Sequence, residues 1–216
     1  MSVVRSLERR LERLLEGVAG RVFSGRLHPT EIAGKLAREA DFARFETEAG
    51  PATANSFTIL VHPRDLTLGP EELETVLAAE MYKYTAEHGL RLEGPVKVSI
   101  QASDDVVAGN VTCHVEVDPG PPVIWARLSS QEDTLDVGRN RVIIGRSTEA
   151  DVVMPHRDVS RSHALLWREG GKTWVRDLDS ANGTSVDGES SGQNAVEVHM
   201  GSVLAFSNHG YRFTEI

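Results

Sequence analysis

The chain has 216 residues, 40% hydrophobic and 25% charged, which is the composition of a soluble globular protein with room for one large or two ordinary domains. The formal net charge of −9 argues against broad, sequence-independent nucleic-acid binding, which depends on a basic face. One cysteine, Cys113, excludes an intramolecular disulfide and suits a reducing compartment. No apolar run approaches the roughly 18 residues that cross a bilayer, so we expect a cytoplasmic protein without direct membrane insertion.

Before a proline-rich segment, the pattern predicts a small α+β domain. An apolar stripe from Val4 to Val18 predicts an amphipathic helix, and a second helix begins near Pro29. A third helix runs from about Pro70 to a stop at Gly89. Strands are predicted over residues 57–61, 96–100 and 111–117. In the last of these, Cys113 and His114 alternate, so one faces inward and the other outward, and we expect Cys113 to be the buried one.

The segment 118–122 reads Asp-Pro-Gly-Pro-Pro and predicts a hinge between domains at residues 1–117 and 123–216. After it the pattern becomes almost entirely β, and Asp187-Gly188 is a hairpin signal. Short strands separated by Gly, Asp and Asn predict a β-sandwich. They are expected over residues 123–128, 141–144, 151–154, 163–167, 173–177 and 202–206.

Three polar clusters fall on turns of this second domain. They are Gly145-Arg146, the run from Ser160 to His163, and the run from Ser180 to Thr184. Turns of this kind can converge at one end of a sandwich, where these would offer two guanidinium groups, a hydroxyl and a side-chain amide. That set suits a dianionic phosphate on an extended peptide, because arginine presents a rigid fork of donors to phosphate oxygens.

Through these clusters, residues 123–216 resemble the forkhead-associated (FHA) family. The resemblance implies a sandwich of about eleven strands with no catalytic activity, which binds phosphothreonine peptides. It implies that Arg146 and Ser160 contact the phosphate and that Arg161 touches phosphate or peptide backbone. Asn182 would grip the peptide main chain.

The same resemblance implies supporting roles for three residues: Gly145, His163, which holds the binding loops together, and Gly183, which permits the turn beside Asn182. One departure is Ala181, where the family commonly has a threonine whose hydroxyl aids the phosphate. Candidate specificity elements are Arg157, Ser180, Ala181 and the turn at residues 208–210.

Residues 1–117 resemble, less specifically, the amino-terminal domain of the FhaA group of actinobacterial proteins. The resemblance rests on the early Arg/Leu helix and on residues 21–23, 29–33, 55–61 and 88–98. It implies an association with Ser/Thr protein kinases and with control of peptidoglycan synthesis. The combined fold class is therefore two domains, a small α+β domain followed by an all-β FHA sandwich.

The sequence thus predicts a non-enzymatic phosphothreonine-binding adaptor with no cofactor, no metal and no nucleic-acid partner. Its partner would be a Ser/Thr kinase, a pseudokinase or a kinase substrate, and the sequence makes no prediction of oligomeric state. Two alternatives stay open: a degenerate FHA scaffold with phospho-independent contacts, and a KH-like first domain that binds nucleic acid. Ser160, His163 and a nearby aspartate contain the residue types of a hydrolase triad, but a triad is defined by geometry. Thr47 and Thr53 look exposed and are candidate phosphorylation sites.

Overall fold

The computed structural model describes residues 22, 27, 29–66 and 69–216, and these divide into two compact units. The first comprises the described residues up to Phe45, together with Ala52–Thr85 and Leu92–Gly120. The second comprises Glu46–Pro51, Ala86–Arg91 and Pro121–Ile216. Two short segments from the first 117 residues therefore belong to the second unit. The stripe from Val4 to Val18 lies outside the described residues.

In the part of the first unit that the structure describes, there are two α-helices and a three-stranded sheet. Helix α1 spans Pro29–Phe42 and helix α2 spans Glu71–Glu87. Every third or fourth side chain of α1 is buried, including Ile32, Leu36 and Ala40, as its apolar spacing predicts. Neither helix is both long and apolar enough to span a membrane. The strands of the three-stranded sheet are Ser56–Val61 (β3), Lys97–Ala102 (β4) and Val111–Glu116 (β5). Two short strands that precede them, Phe45–Thr47 (β1) and Gly50–Ala52 (β2), pair with each other and belong mostly to the second unit.

Strand β3 is the centre of the three-stranded sheet. It pairs in parallel with β4 and antiparallel with β5, where Ile59 lies opposite Cys113. Cys113 is buried and His114 is exposed, as the alternation predicts. Burial, with a smaller contribution from Glu39, raises the pKa of the Cys113 thiol to about 12, so the thiol is neutral at physiological pH.

The side chain of Asn55 joins the three strands at one end of the first unit's sheet, where β3 and β4 begin and β5 ends. It is fully buried, and its amide nitrogen donates to the carbonyls of Pro95 and Asp118 at 3.0 and 2.9 Å. Its oxygen accepts the Asp118 N–H at 2.9 Å. A side chain at Gly94 would meet the Asp118 carbonyl, which explains why a glycine stands there.

The two threonines proposed as phosphorylation sites are less accessible than their sequence context indicates. Thr53 is fully buried and donates to the carbonyl of Ala40. Thr47 is half-buried and donates to the carbonyl of Gly50 at 2.8 Å. The expectation of an exposed hydroxyl is therefore wrong for Thr53.

The second unit is a sandwich of eleven strands, which confirms the predicted architecture. One sheet has five strands in the order β14-β11-β10-β8-β9, and the other has six in the order β13-β12-β15-β16-β6-β7. The strands are Ala126–Ser129 (β6), Thr134–Val137 (β7), Arg141–Gly145 (β8), Val152–Val153 (β9), Ala164–Glu169 (β10), Lys172–Asp177 (β11), Thr184–Val186 (β12), Glu189–Ser190 (β13), Val196–Val198 (β14), Val203–Phe206 (β15) and His209–Glu215 (β16).

The core of the sandwich is formed by the inward side chains of both sheets. Phe206, Phe213 and Leu166 are fully buried, and the ring of Trp125 meets Phe213 edge-on at 6.0 Å. Strands β12 and β13 form the predicted hairpin, whose turn residues Asp187 and Gly188 have φ of 50° and 89°. Positive φ at both positions matches the right-handed twist of the flanking strands.

The two upstream segments pack on the other face of the five-stranded sheet. Ala49 forms a small apolar cluster with Leu165 and Trp167. The Arg141 guanidinium lies 5.0 Å from the centre of the Trp167 ring and donates to the carbonyls of Ala49 and Gly89 at 2.6 and 3.2 Å. Burial lowers the pKa of Arg141, an effect that Glu169 opposes. The sandwich in this chain therefore includes residues that come long before the proline-rich segment.

An ion pair fixes the second of these segments. Arg91 donates through both terminal nitrogens to the Asp151 carboxylate, at 2.7 and 2.8 Å, and also to the Arg141 carbonyl at 2.8 Å. Asp151 additionally accepts the Ile143 N–H at 2.9 Å. The two side chains are only 11% and 12% exposed, so water can hydrate the remaining charge only slightly when a substitution removes its partner.

Replacing Arg91 with alanine should therefore lower the free energy of unfolding by about 3 kcal/mol, because among the described residues it leaves a nearly buried carboxylate with Arg139, at 3.4 Å, as the remaining counter-charge. Urea unfolding followed by tryptophan fluorescence measures this, since all three tryptophans lie in the second unit. The matched control is Arg127→Ala, which removes an exposed pair with Asp136 and should cost about 0–1 kcal/mol. Equal losses in the two variants would contradict the assignment.

Candidate functional site

Three loops of the second unit meet at Ser160. The loop after β8 begins at Arg146, whose N–H donates to the Ser160 carbonyl at 2.9 Å. The turn after β11 carries Ala181, whose N–H donates to the Ser160 hydroxyl oxygen at 3.0 Å. Ser160 itself lies on the loop between β9 and β10. A single residue thus bonds the other two loops, through its main chain and its side chain respectively.

The buried side chain of His163 bonds two of these loops to each other, the one that carries Ser160 and the one that carries Gly183. It is fully buried, and its Nδ1 accepts the Ser160 N–H at 3.1 Å while its Nε2 lies 3.0 Å from the Gly183 carbonyl. Because Nδ1 accepts a hydrogen bond and the Gly183 carbonyl needs a donor, the ring carries its hydrogen on Nε2. The Phe206 ring meets it edge-on at 5.9 Å.

Gly145 is required by the close approach of two backbones. A Cβ at this position would lie 2.0 Å from the carbonyl oxygen of Arg161. The same carbonyl accepts the N–H of Ser147 at 3.3 Å. Any larger residue would therefore push apart the loops that carry Arg146 and Arg161.

The turn that carries Ala181 and Asn182 is organised by a buried carboxylate. Asp177 accepts the N–H of Ser180 at 2.8 Å, its hydroxyl at 2.7 Å and the hydroxyl of Thr184 at 2.6 Å. Burial alone would raise the pKa of Asp177, but these hydrogen bonds outweigh it and hold the pKa below the ordinary value. Gly183 has φ of 81°, a conformation that favours glycine.

A second network lies on the other side of Asn182. The Asn182 amide donates to the main-chain carbonyl of Asp158 at 2.7 Å, and the Asp158 carboxylate accepts from Ser207 at 2.8 Å and lies 2.9 Å from His209 Nε2. The bonds from His209 and Ser207 lower the pKa of Asp158 to about 2. The His156 ring stacks on His209 at 3.7 Å. The predicted specificity turn at 208–210 is thereby connected to Asn182.

The charged groups at this end of the sandwich are exposed. Arg146 and Arg161 both face solvent, and neither guanidinium forms an ion pair within the described part of the chain. They line a cleft of about 560 Å³ together with Ser160 and other residues of the neighbouring loops. Of the candidate specificity residues, Arg157 and Ala181 are exposed and Ser180 is half-buried.

The geometry does not support a hydrolase. Neither nitrogen of His163 contacts the Ser160 hydroxyl, because one accepts a main-chain N–H and the other faces a carbonyl. Gly188 to Gly192 has the Gly-x-Ser-x-Gly spacing around Ser190, but it forms the β12–β13 hairpin and not a strand-to-helix turn. Among the described residues, no group of three or more His, Cys, Asp or Glu is placed to hold a metal ion.

Sequence reasoning missed Asp158 and His209 as partners, and it missed the organising role of Asp177. Asp158 and His209 are 51 residues apart, so no local pattern joins them. Asp177 had a local signal, because an aspartate at the end of a strand followed by Ser180 is typical of a side-chain-capped turn.

The sequence profile described as "FHA domain" matches residues 142–207, the part of the chain that carries Arg146, Ser160, His163 and Asn182. The profile described as "FhaA, N-terminal domain" matches residues 4–114, more than half of the chain. The chain therefore belongs to the FhaA family of FHA domain proteins. Both families are binding domains.

The FHA domain-containing protein FhaA of Mycobacterium tuberculosis is 28% identical over 130 residues, which is 56% of this chain and 25% of the relative. The chain thus spans about a quarter of the curated relative it matches. It is also similar to M. tuberculosis EmbR in complex with a low-affinity phosphopeptide, at 27% identity and a TM-score of 0.39 over 42% of this chain and 24% of EmbR. The FHA domain of FhaA, solved with the intracellular domain of another protein, gives 24% identity and a TM-score of 0.36 over 42% of this chain and 98% of that domain.

The lowered pKa of Asp177 predicts an acid-sensitive contribution to stability. A depressed folded-state pKa stabilises the protein above the unfolded value of about 3.9, and this contribution is lost as the pH falls through the folded-state pKa. At pH 7, Asp177→Asn should lower the free energy of unfolding by about 1–3 kcal/mol, because two hydroxyl donors and an N–H lose a charged acceptor.

Chemical unfolding between pH 7 and pH 3 checks this. The difference between Asp177→Asn and the parent should shrink with falling pH, whereas Asp136→Asn, at an exposed carboxylate, should show little difference at neutral pH. A gap that stays constant across this range would contradict the role of the ionised carboxylate.

Proposed function

We propose that the second unit binds a phosphothreonine-containing segment of a partner protein and that the chain acts as a non-enzymatic adaptor. The observation that carries this proposal is the position of two exposed arginines, Arg146 and Arg161, on loops that are bonded to Ser160. Neither guanidinium has a counter-ion among the described residues. A phosphate is the anion that two such forks and a hydroxyl suit best.

Each side chain has the donors that its proposed role needs. The Ser160 oxygen already accepts the Ala181 N–H, so its own hydrogen is available for a phosphate oxygen. Arg146 and Arg161 would supply charge-assisted hydrogen bonds, which are about twice as strong as neutral ones. The phosphate adds about −1.5 to −2 charge at neutral pH, so phosphorylation would switch the contact on.

Asn182 would contact the main chain of the bound peptide. One of its amide hydrogens donates to the Asp158 carbonyl, which fixes the orientation of the side chain. The amide oxygen and the second amide hydrogen then face outward as one acceptor and one donor. A peptide in an extended conformation presents groups of both kinds.

The partner we propose is a Ser/Thr kinase, a pseudokinase or a kinase substrate, and the setting is the cytoplasm. Membership of the FhaA family favours a link to peptidoglycan synthesis, which is part of this proposal. The first unit would bind a second partner or dimerise.

The alternatives make different predictions. A degenerate FHA scaffold would bind an unmodified partner equally well with and without Arg146. A nucleic-acid-binding first unit has one Gly-x-x-Gly before the proline-rich segment, at Gly17 to Gly20 with Arg21 behind it, outside the described residues. Salt-sensitive RNA binding by the full chain would favour that alternative.

Calorimetry with phosphothreonine, phosphoserine and unmodified versions of one peptide, selected from a degenerate phosphothreonine library, tests the proposal. Only the phosphothreonine form should bind, and Arg146→Ala should cost about 2–5 kcal/mol because a charged hydrogen-bonded contact is lost. Arg127→Ala removes the same charge from the exposed pair with Asp136 and should leave binding unchanged. Equally tight binding by the parent and by Arg146→Ala would refute the proposed recognition of the phosphate. So would equal affinity for the phosphorylated and unmodified peptides.

Ala181 predicts a gain-of-affinity variant. Its N–H donates to the Ser160 hydroxyl oxygen and its side chain is exposed, so a hydroxyl added to this side chain would be close to the proposed phosphate position. Ala181→Thr should tighten phosphopeptide binding by about 0.5–1.5 kcal/mol, the net contribution of one hydrogen bond. Ala181→Val has the same shape without the hydroxyl and should give no gain. Equal affinity of the threonine variant and the parent would exclude the contact.

A further inference from the structure

The cleft that contains Arg146 and Arg161 also has an acidic side. Glu48 and Glu149 line the same cleft, whose volume is about 560 Å³. Both carboxylates are exposed, and within the described ranges neither forms an ion pair. The cleft thus contains two cationic and two anionic side chains that form no ion pairs among the described residues.

Glu48 reaches this cleft on a well-held turn. It lies between β1 and β2 in a segment that belongs to the second unit. The next residue, Ala49, is buried against Leu165 and Trp167, and its carbonyl accepts from Arg141 at 2.6 Å. Thr47 closes the turn by donating to the Gly50 carbonyl. Glu48 is therefore positioned by packing and hydrogen bonds, although it is about a hundred residues away in sequence from the arginines.

Glu149 reaches the cleft from the loop that begins with Arg146. Its N–H lies 3.3 Å from the Ser147 hydroxyl, and the following N–H of Ala150 donates to the Ser147 carbonyl at 3.1 Å. The two carboxylates thus come from different parts of the chain and share one cleft.

For a phosphate alone, these carboxylates are unfavourable, because like charges in one cleft repel. They become favourable when the ligand itself carries a cation next to its phosphate. An extended peptide places successive side chains about 3.3 Å apart along its axis, so one side chain can lie on the arginines while a nearby one lies on the carboxylates.

We propose that this cleft selects phosphothreonine segments that carry lysine or arginine close to the phosphothreonine, with Glu48 and Glu149 as the residues that read the basic side chain. The inference rests on the proposed phosphothreonine binding and names the class of segment that the site prefers. Glu48 makes the upstream β1–β2 turn a part of the recognition surface.

A peptide series measured by fluorescence anisotropy tests the inference. One phosphothreonine peptide is varied so that alanine, lysine or glutamate stands in turn at each of the four positions on either side of the phosphothreonine. Lysine at one or two neighbouring positions should tighten binding to the parent protein about two- to fivefold over alanine, the range for exposed ion pairs, and more at low salt. Lysine elsewhere should have a smaller and uniform effect.

The variants separate this contact from general charge effects. Glu48→Gln together with Glu149→Gln should abolish the lysine preference and slightly tighten binding of the alanine peptide, because the repulsion of the phosphate is removed. Glu48→Lys should shift the preference at those positions from lysine to glutamate. Glu189→Gln makes the same charge change at an exposed carboxylate that does not line the cleft and should leave the preference intact.

Two results would overturn the inference, and they differ from a failure of the proposed function. Phosphothreonine binding with no preference for lysine at any position would overturn the inference alone. So would a preference that persists unchanged in the double glutamine variant. If no phosphothreonine peptide binds at all, the proposed function fails and the inference fails with it.

Discussion

The site depends on one buried imidazole. His163 accepts the N–H of Ser160 and donates to the carbonyl of Gly183, so one buried ring joins two loops that are also bonded at the surface through Ala181 and Asn182. A protonated ring would lose the first of these bonds, and a non-polar residue would leave a main-chain N–H and a carbonyl without partners in the interior. This ring sets the positions of three site residues. It binds Ser160 directly, and Ala181 and Asn182 lie within two residues of Gly183, whose carbonyl it also binds.

The charges at the site are arranged around that framework and not within it. Arg146, Arg161, Glu48 and Glu149 are exposed, whereas the groups that hold their loops are buried or bonded: His163, Asp177 and the main chain at Gly145. This division separates stability from recognition. Surface charges can be exchanged at a cost of about 0–1 kcal/mol each, while the supporting contacts cannot. Ligand preference in such a sandwich is therefore free to change without loss of the fold.

Much of this structure could be predicted from the sequence where the pattern is long enough to have a period. Helix α1, helix α2 and strands such as β3 and β11 fall within a few residues of their predicted positions. Strand β14, of three residues, is too short to display an alternation, and β7 and β16 were also missed. For β12 and β13, only the hairpin turn between them was predicted. The candidate site residues that lie in short motifs were proposed from the sequence. Glu48 and the contact between Asp158 and His209 were not, because tertiary packing alone brings together residues that are far apart in sequence.

The contribution of Ala49, Leu90 and Arg91 to the second unit has a consequence for how this domain can be inherited. The Asn140 side chain donates to the Leu90 carbonyl at 3.2 Å, so this segment is bonded to the sandwich by its main chain as well as by Arg91. A gene rearrangement that moved only the part after the proline-rich segment would separate Asp151 from Arg91 and uncover Leu165 and Trp167. Recombination would then have to carry the upstream region along or replace those contacts.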